Sequence, residues 1–343
     1  MNAEELLRRM VDIPSPSGEE SALAAYLAEV LPDLGFDESY VDEVGNVIAR
    51  RGPADAPMIM LVGHMDTVPS QVPIRQEGTL LYGRGTVDAK GPLATFICAA
   101  ASARLEGVQV VVAGVVEEET FGKGATHLAE TFRPAAGYVG EPNGWAGVGI
   151  GYKGRVMMRL DVSRPSVHTA SPEEKASEAA VAFWNKVVSY CASDSEKAFD
   201  RPIPTLVEMT GDIEAASITL SVRTPPGFDL PAFESFVVSA AGDDLLDITD
   251  RTPAVRVDTA GAAVQALNAA IRARGERPRL KLKTGTADLN IVEPAWQVPM
   301  AVYGPGDSSL DHTDREHIDL TEYGRAIDVL TDALERLAVT LAS

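Results

Sequence analysis

The sequence predicts an α/β fold: a mostly parallel sheet with helices on both faces, interrupted by an inserted α+β module. Three observations predict it. Continuous apolar runs, at Met58-Ile-Met-Leu-Val62 and over 108–116, have the length of strands buried on both faces. Segments of helix length separate these runs, the pattern of a parallel sheet. Beyond residue 152 the strands change to period-two alternation, as over 156–162, which marks a sheet with one face in water.

Taken in order, residues 3–11 read as a short helix. Ser17-Gly-Glu-Glu20 reads as the start of a second, with a capping serine and early acids, running over 22–31 until Gly35 stops it. The strand at 58–62 follows, then an Ala-rich helix over 92–105, the strand at 108–116, a helix over 124–131 and a short strand at 138–139. Gly149-Ile-Gly-Tyr-Lys-Gly154 marks the change of pattern. The module then reads as strand 156–162, helix 173–190, strand 218–222, helix 229–240 and strand 245–248. A helix over 260–274, a buried strand at 300–303 and a long helix over 320–341 close the chain. The expected domains are a catalytic, metal-binding domain over 1–151 and 258–343, and an inserted lid or dimerisation domain over 152–257.

Composition excludes several functions. The chain has 343 residues, 45% hydrophobic and 23% charged, which supports a globular core. A formal net charge of −20 repels phosphate backbones and anionic membranes, so neither nucleic acid nor membrane is an expected partner. No apolar run has the length of a membrane-spanning helix. Residues 1–10 carry two Glu and two Arg, unlike a signal peptide. The two cysteines, Cys98 and Cys191, have no close spacing, which points to a reducing compartment, the cytoplasm.

Chemistry-bearing residues cluster where predicted strands end, the position at which open α/β sheets place their sites. His64 and Asp66 lie in Gly63-His-Met-Asp-Thr67; alone, such a pair reads first as a structural contact. Asp88 lies in Tyr82-Gly-Arg-Gly-Thr-Val-Asp-Ala-Lys-Gly-Pro92, at a helix entrance where a lone Asp is usually a cap. Its glycine-rich surroundings favour a ligand. Glu117-Glu-Glu-Thr120 ends a buried strand, and a cation would offset its mutual repulsion. Glu141 lies in Gly140-Glu-Pro142, and His312 in Ser309-Leu-Asp-His-Thr-Asp-Arg-Glu316. Mixed imidazole and carboxylate ligands suit Zn²⁺, with Co²⁺ or Mn²⁺ as substitutes, and so many ligands suit two ions sharing a carboxylate.

These five ordered motifs resemble the metallopeptidase family of acetylornithine deacetylase, succinyl-diaminopimelate desuccinylase and aminoacylase, over nearly the whole chain. The resemblance implies an amide hydrolase with two divalent ions. His64, Asp88 and Glu141 would hold one ion; Asp88, Glu119 and His312 would hold the other, with Asp88 bridging. Asp66 would orient His64, and Glu118 would be the general base. Glu117 stands where the family has Asp, which leaves a one-residue slip along Glu117, Glu118 and Glu119 open. His168, in Ser166-Val-His-Thr-Ala-Ser-Pro172, would stabilise the oxyanion, often from a partner subunit, which implies a homodimer formed by 152–257. Arg223 would hold a substrate carboxylate, and Thr286, in Thr284-Gly-Thr-Ala-Asp288, would line the substrate loop. His127 and His317 read as structural.

Asp88-Ala-Lys-Gly-Pro92, Glu141-Pro-Asn-Gly-Trp145 and Gly151-Tyr-Lys-Gly154 resemble, within that family, the hydrolases that release lysine or ornithine from a small acidic amino-group carrier protein. The alternatives are a small-molecule deacylase, such as an acetylornithine or acetyl-lysine deacetylase, a dipeptidase, or a catalytically dead relative acting as a binding module. An acidic carrier meets an acidic enzyme poorly. Arg272, Arg274, Arg277, Arg279, Lys281 and Lys283, among which Glu276 is the single acid, form either a docking patch or a solvated helix end and edge strand.

Overall fold

In a computed structural model that describes residues 1–342, the chain divides into two compact units. The first comprises Met1–Ile150, Val257–Lys281 and the residues from Ala287 on. Its sheet runs in the order Glu38–Val41, Val47–Arg51, Gln109–Val115, Met58–His64, Ala136–Gly140, Met300–Tyr303, Gly147–Tyr152. The four middle strands pair in parallel: Met58–His64 lies between Gln109–Val115 and Ala136–Gly140, which in turn pairs with Met300–Tyr303. Helices flank the sheet. Lys90–Ser102 packs on the central strands and on Leu320–Leu341, and Ala262–Ala273 packs on the strands of the other half. Ile59, Met60, Leu61, Val62, Val110 and Val111 are fully buried. Each such side chain stabilises the fold by about 1.5–3 kcal/mol, so the apolar runs read from sequence are the centre of this unit.

The second unit comprises Gly151–Arg256 and Leu282–Thr286. Its four antiparallel strands run in the order Ile203–Gly211, Ala215–Thr224, Gly154–Ser163, Leu245–Thr252. Alternate residues of Gly154–Ser163 are buried, as the period-two pattern predicts. Val156, Met158 and Leu160 meet Ile218, Leu220 and Val222 in one core, covered by Phe183 of helix Ala176–Tyr190 and Phe233 of helix Leu230–Ala241. The segment 282–286 joins this unit because Lys153 N–H donates to Lys283 O and Arg223 Nη1 to Thr286 Oγ1.

Sequence reasoning passed over several elements. Strands Glu38–Val41 and Val47–Arg51 form an antiparallel edge pair too short to show a period. Ile203–Gly211 is exposed along nearly its whole length, so no burial pattern marks it. Helix Leu289–Trp296 contains Pro294, ordinarily a helix breaker. Among the described residues no helix is long and apolar enough to cross a membrane.

One local reading is corrected. Ser17-Gly-Glu-Glu20 does not cap the following helix, Ser21–Val30, whose N-cap Glu20 makes no side-chain capping bond. The Ser17 and Glu20 side chains bond instead to Asp66 and to the Glu117 N–H.

Candidate metal centre

One strand end and two loops of the first unit converge on Asp88. His64 ends the strand Met58–His64 and is 1% exposed. Its Nδ1 lies 2.9 Å from the main-chain oxygen of Asp66, which leaves Nε2 3.2 Å from Asp88 Oδ1. On the other side His312 Nε2 lies 3.1 Å from Asp88 Oδ2 and 2.9 Å from Glu119 Oε1. The two oxygens of one carboxylate therefore face two different imidazoles. Asp88, Glu119 and His312 each offer a ligand atom within 4.8 Å of the others, the one such group among the described residues. Ligands bound at about 2.0–2.2 Å to a tetrahedral zinc stand roughly 3.3 Å apart, so the spacing fits a cation. The chemistry fits too, since imidazole and carboxylate are the donors zinc takes.

The electrostatics carry the same message. Burial works against the Asp88 charge, but bonds to His312 and His64 hold its carboxyl well below the usual range. His312's bonds to Asp88 and Glu119 push its imidazole up to about 10. Glu118 keeps a window to solvent, yet its carboxyl is densely surrounded. That crowding, with Glu141, Asp288 and Glu119 nearby, pushes it well above the usual range against the pull of His64. Glu141 is pushed up in the same way by burial and then by Asp88. Several acids crowded at one point leave repulsion that a divalent cation offsets.

The acidic triplet is held by residues whose role the motifs did not show. Asp66, fully buried, accepts from the backbone N–H of Glu118 and of Glu119, each at 3.1 Å, and from Ser17 Oγ at 2.7 Å. Its carboxylate is 3.5 Å from His64 Nδ1, so its shorter bonds go to the triplet. Glu20 Oε1 accepts from Glu117 N–H at 3.1 Å and from Gly18 N–H at 2.9 Å. Glu117 and His312 both have positive φ, 59° and 60°, a conformation that costs a non-glycine residue about 1–2 kcal/mol. These bonds hold the chain in that turn.

Asp88 is fixed from the opposite end of the sequence. Glu316, fully buried, accepts from Val87 N–H at 2.9 Å and Asp88 N–H at 3.1 Å, and its other oxygen takes Arg84 Nη1 at 2.5 Å. The peptide bond Asp88–Ala89 is cis. Gly91 is required because a Cβ there would stand 2.2 Å from Thr86 O. The Asp88 and His312 motifs are thus one structure, tied by a charged bond between Arg84 and Glu316.

The structure brings His64, Asp88, Glu119 and His312 into contact, with Glu118 and Glu141 in electrostatic reach. Within the second unit Arg223 Nη1 donates to Thr286 Oγ1 at 3.1 Å. His168 is exposed there, its Nδ1 accepting from Ala170 N–H at 3.1 Å. His127 lies 3.7 Å from Asp42, away from these ligands in the pairing it makes, and His317 Nδ1 lies 2.7 Å from Arg315 O. The basic segment is smaller than its composition suggests. Arg274 is spent on Asp332 and on the Ala270 and Asp328 carbonyls, joining two helices, whereas Arg272, Arg277 and Arg279 stand exposed.

Residues 60–336 match the family described as peptidase family M20/M25/M40. The chain is 42% identical to a [LysW]-lysine hydrolase of Deinococcus radiodurans, over 98% of this chain and 97% of that protein. It is also 42% identical to a putative [LysW]-lysine/[LysW]-ornithine hydrolase of Thermococcus kodakarensis, over 97% and 91%. Its fold is that of an M20 metallo-carboxypeptidase from Sulfolobus solfataricus, with a TM-score of 0.81 at 16% identity over 99% of this chain and all of that one. By its matched length and these relatives, the chain belongs to the M20/M25/M40 peptidase family of hydrolases.

Proposed function

We propose that this protein is a two-metal amide hydrolase that releases lysine or ornithine from a small amino-group carrier protein in the cytoplasm. The observation that carries the chemistry is the Asp88 carboxylate, with one oxygen toward His64 and the other toward His312. The substrate follows from the relatives, whose names specify lysine or ornithine joined to the carrier LysW.

His64, Asp88 and Glu141 would hold one ion, and Asp88, Glu119 and His312 the other. Divalent ions held there, zinc foremost, would supply Lewis acidity, which would lower the pKa of a water toward about 7. The Glu118 carboxylate takes the proton of the attacking water as its oxygen bonds to the carbonyl carbon. It then delivers that proton to the leaving nitrogen as the C–N bond breaks. Asp66 and Glu20, through the backbone N–H groups they accept, keep Glu118 and Glu119 at fixed positions. His168, in the family often supplied by a partner subunit, would donate to the oxyanion, and Arg223 with Thr286 would bind a substrate carboxylate.

A homodimer is part of this reading. Strand Ile203–Gly211 is an edge with Leu206, Val207 and Met209 exposed. Such an edge invites pairing with its own copy across a two-fold axis.

The test is hydrolysis by metal-loaded protein of carrier-linked lysine, carrier-linked ornithine, acetyl-lysine and acetylornithine. Preference for a carrier-linked substrate, abolished by chelation, is expected. Equal or better cleavage of the free acetylated amino acids would replace the carrier reading with a general deacylase.

A further inference from the structure

Asp288 ends the Thr284-Gly-Thr-Ala-Asp288 segment and stands at the N-cap of helix Leu289–Trp296. An aspartate at that position ordinarily accepts from the N–H groups of the first turn. Asp288 makes no such bond. It is 2% exposed, and its Oδ1 is buried with no hydrogen-bond partner among the described residues. A buried carboxylate oxygen without a partner is costly, so its retention calls for an explanation.

Its location supplies one. A Cβ built on Gly122, which closes the acidic-triplet loop, would lie 4.0 Å from Asp288 Oδ1. The Asp288 charge acts on both Glu118 and Glu141. In return, burial pushes Asp288 up to about 7, with His64 opposing and Asp66 adding to the rise. Asp288 thus borders the metal centre within the first unit, yet the hydrolytic scheme gives it no task. A buried carboxylate oxygen that lacks a donor, set among acidic neighbours, takes a cationic donor in preference to a neutral one.

We propose that Asp288 is the specificity residue that binds the terminal ammonium of the amino acid being released. This deepens the lysine-or-ornithine reading above and rests on it. A lysine side chain reaches roughly 6 Å from its Cα, so an amide held at Asp88 and Glu118 leaves its ammonium within range of a carboxylate on the border of the same centre. An ammonium fills the missing bond of Asp288 and keeps it ionised.

The experiment uses metal-loaded enzyme and short acidic peptides joined through an amide to lysine, to ornithine or to 6-hydroxynorleucine, in which a hydroxyl replaces the ammonium. Wild type is expected to favour lysine over 6-hydroxynorleucine by roughly 100-fold in kcat/KM. Asp288→Asn, close in shape, should lose roughly 100-fold on the lysine peptide and less than about threefold on the neutral one. Calorimetric binding of free lysine should weaken in parallel. Asp288→Glu, whose carboxylate reaches one methylene further, should shift preference from lysine toward ornithine. Equal losses on both peptides in Asp288→Asn would place Asp288 at the reaction itself and overturn the ammonium site. An unchanged lysine-to-ornithine ratio in Asp288→Glu would do the same. A wild type indifferent to the ammonium would sink the lysine reading itself, whatever the variants do.

Discussion

The two sheets of this protein treat water in opposite ways. In the first unit the central strand Met58–His64 is paired on both edges and its side chains are buried, down to His64 at its end. In the second, strand Leu245–Thr252 alternates between partial burial and exposure, and Ile203–Gly211 is exposed nearly throughout with one edge unpaired. Charge follows burial. At this end of the sheet dense packing and close charges hold the carboxyls of Asp88, Glu118 and Glu141 far from the usual range, Asp88 below it and the other two above. The wet sheet offers backbone groups and apolar side chains to a neighbour instead. In the proposed reading, one chain uses exclusion of water to build chemistry and exposure to water to build contacts.

The largest effect expected from this contrast is at Glu118. Glu118→Gln keeps the size of the side chain and its backbone bond to Asp66 but removes the proton acceptor. kcat should fall roughly 10²–10⁴-fold, while metal content, measured by atomic absorption, stays at the wild-type stoichiometry. The two readouts also settle the one-residue ambiguity along the triplet. A lost ion in Glu118→Gln, with full activity in Glu119→Gln, would exchange the roles of the two residues.

The difference between the units also explains what was legible in the sequence. Met300–Tyr303 and Leu320–Leu341 are recognisable to the residue because continuous burial and a long 3.6 period leave strong patterns. The candidate ligands His64, Asp88 and Glu141 are recognisable because they sit at the end of such a strand or in a glycine-rich turn. Ile203–Gly211 was illegible for the reverse reason: an exposed edge imposes no periodic constraint on its residues. The supports of the site were illegible in another way. Ser17 and Asp66 are 49 positions apart, and Arg84 and Glu316 are 232 apart. Locally, Ser17 and Glu20 carry the signature of a helix cap, and only the three-dimensional path of the chain turns them toward Asp66 and Glu117. Asp288 was hidden likewise, since at an N-cap position its residue type looks already explained.

A smaller effect is expected on the wet side. Val207 is 54% exposed at the middle of the unpaired edge. Val207→Asp places a charge on that edge twice in a two-fold assembly, which should weaken dimerisation about 100-fold, or roughly 3 kcal/mol. Light scattering at micromolar concentration should then give a monomer where wild type gives a dimer. Its thermal melting should stay close to wild type when both are measured as monomers. A wild type that is itself monomeric, or a dimer untouched by the charge, would remove this edge as the interface.

The smallest effect concerns the exposed arginines. With Arg274 committed to Asp332, the cations left to meet an acidic carrier include Arg277 and Arg279, both exposed in the loop and strand after helix Ala262–Ala273. On a molecule of net charge −20 they are a local exception, and such exceptions steer encounter without forming the bond that is cut. Double reversal, Arg277→Glu with Arg279→Glu, should raise KM for carrier-linked lysine about tenfold at low salt and leave kcat unchanged. The defect should shrink as ionic strength shortens the reach of the charges. Hydrolysis of acetyl-lysine, which presents no acidic surface, should not respond. If both substrates respond alike, the arginines support the fold of this segment, and the carrier docks elsewhere.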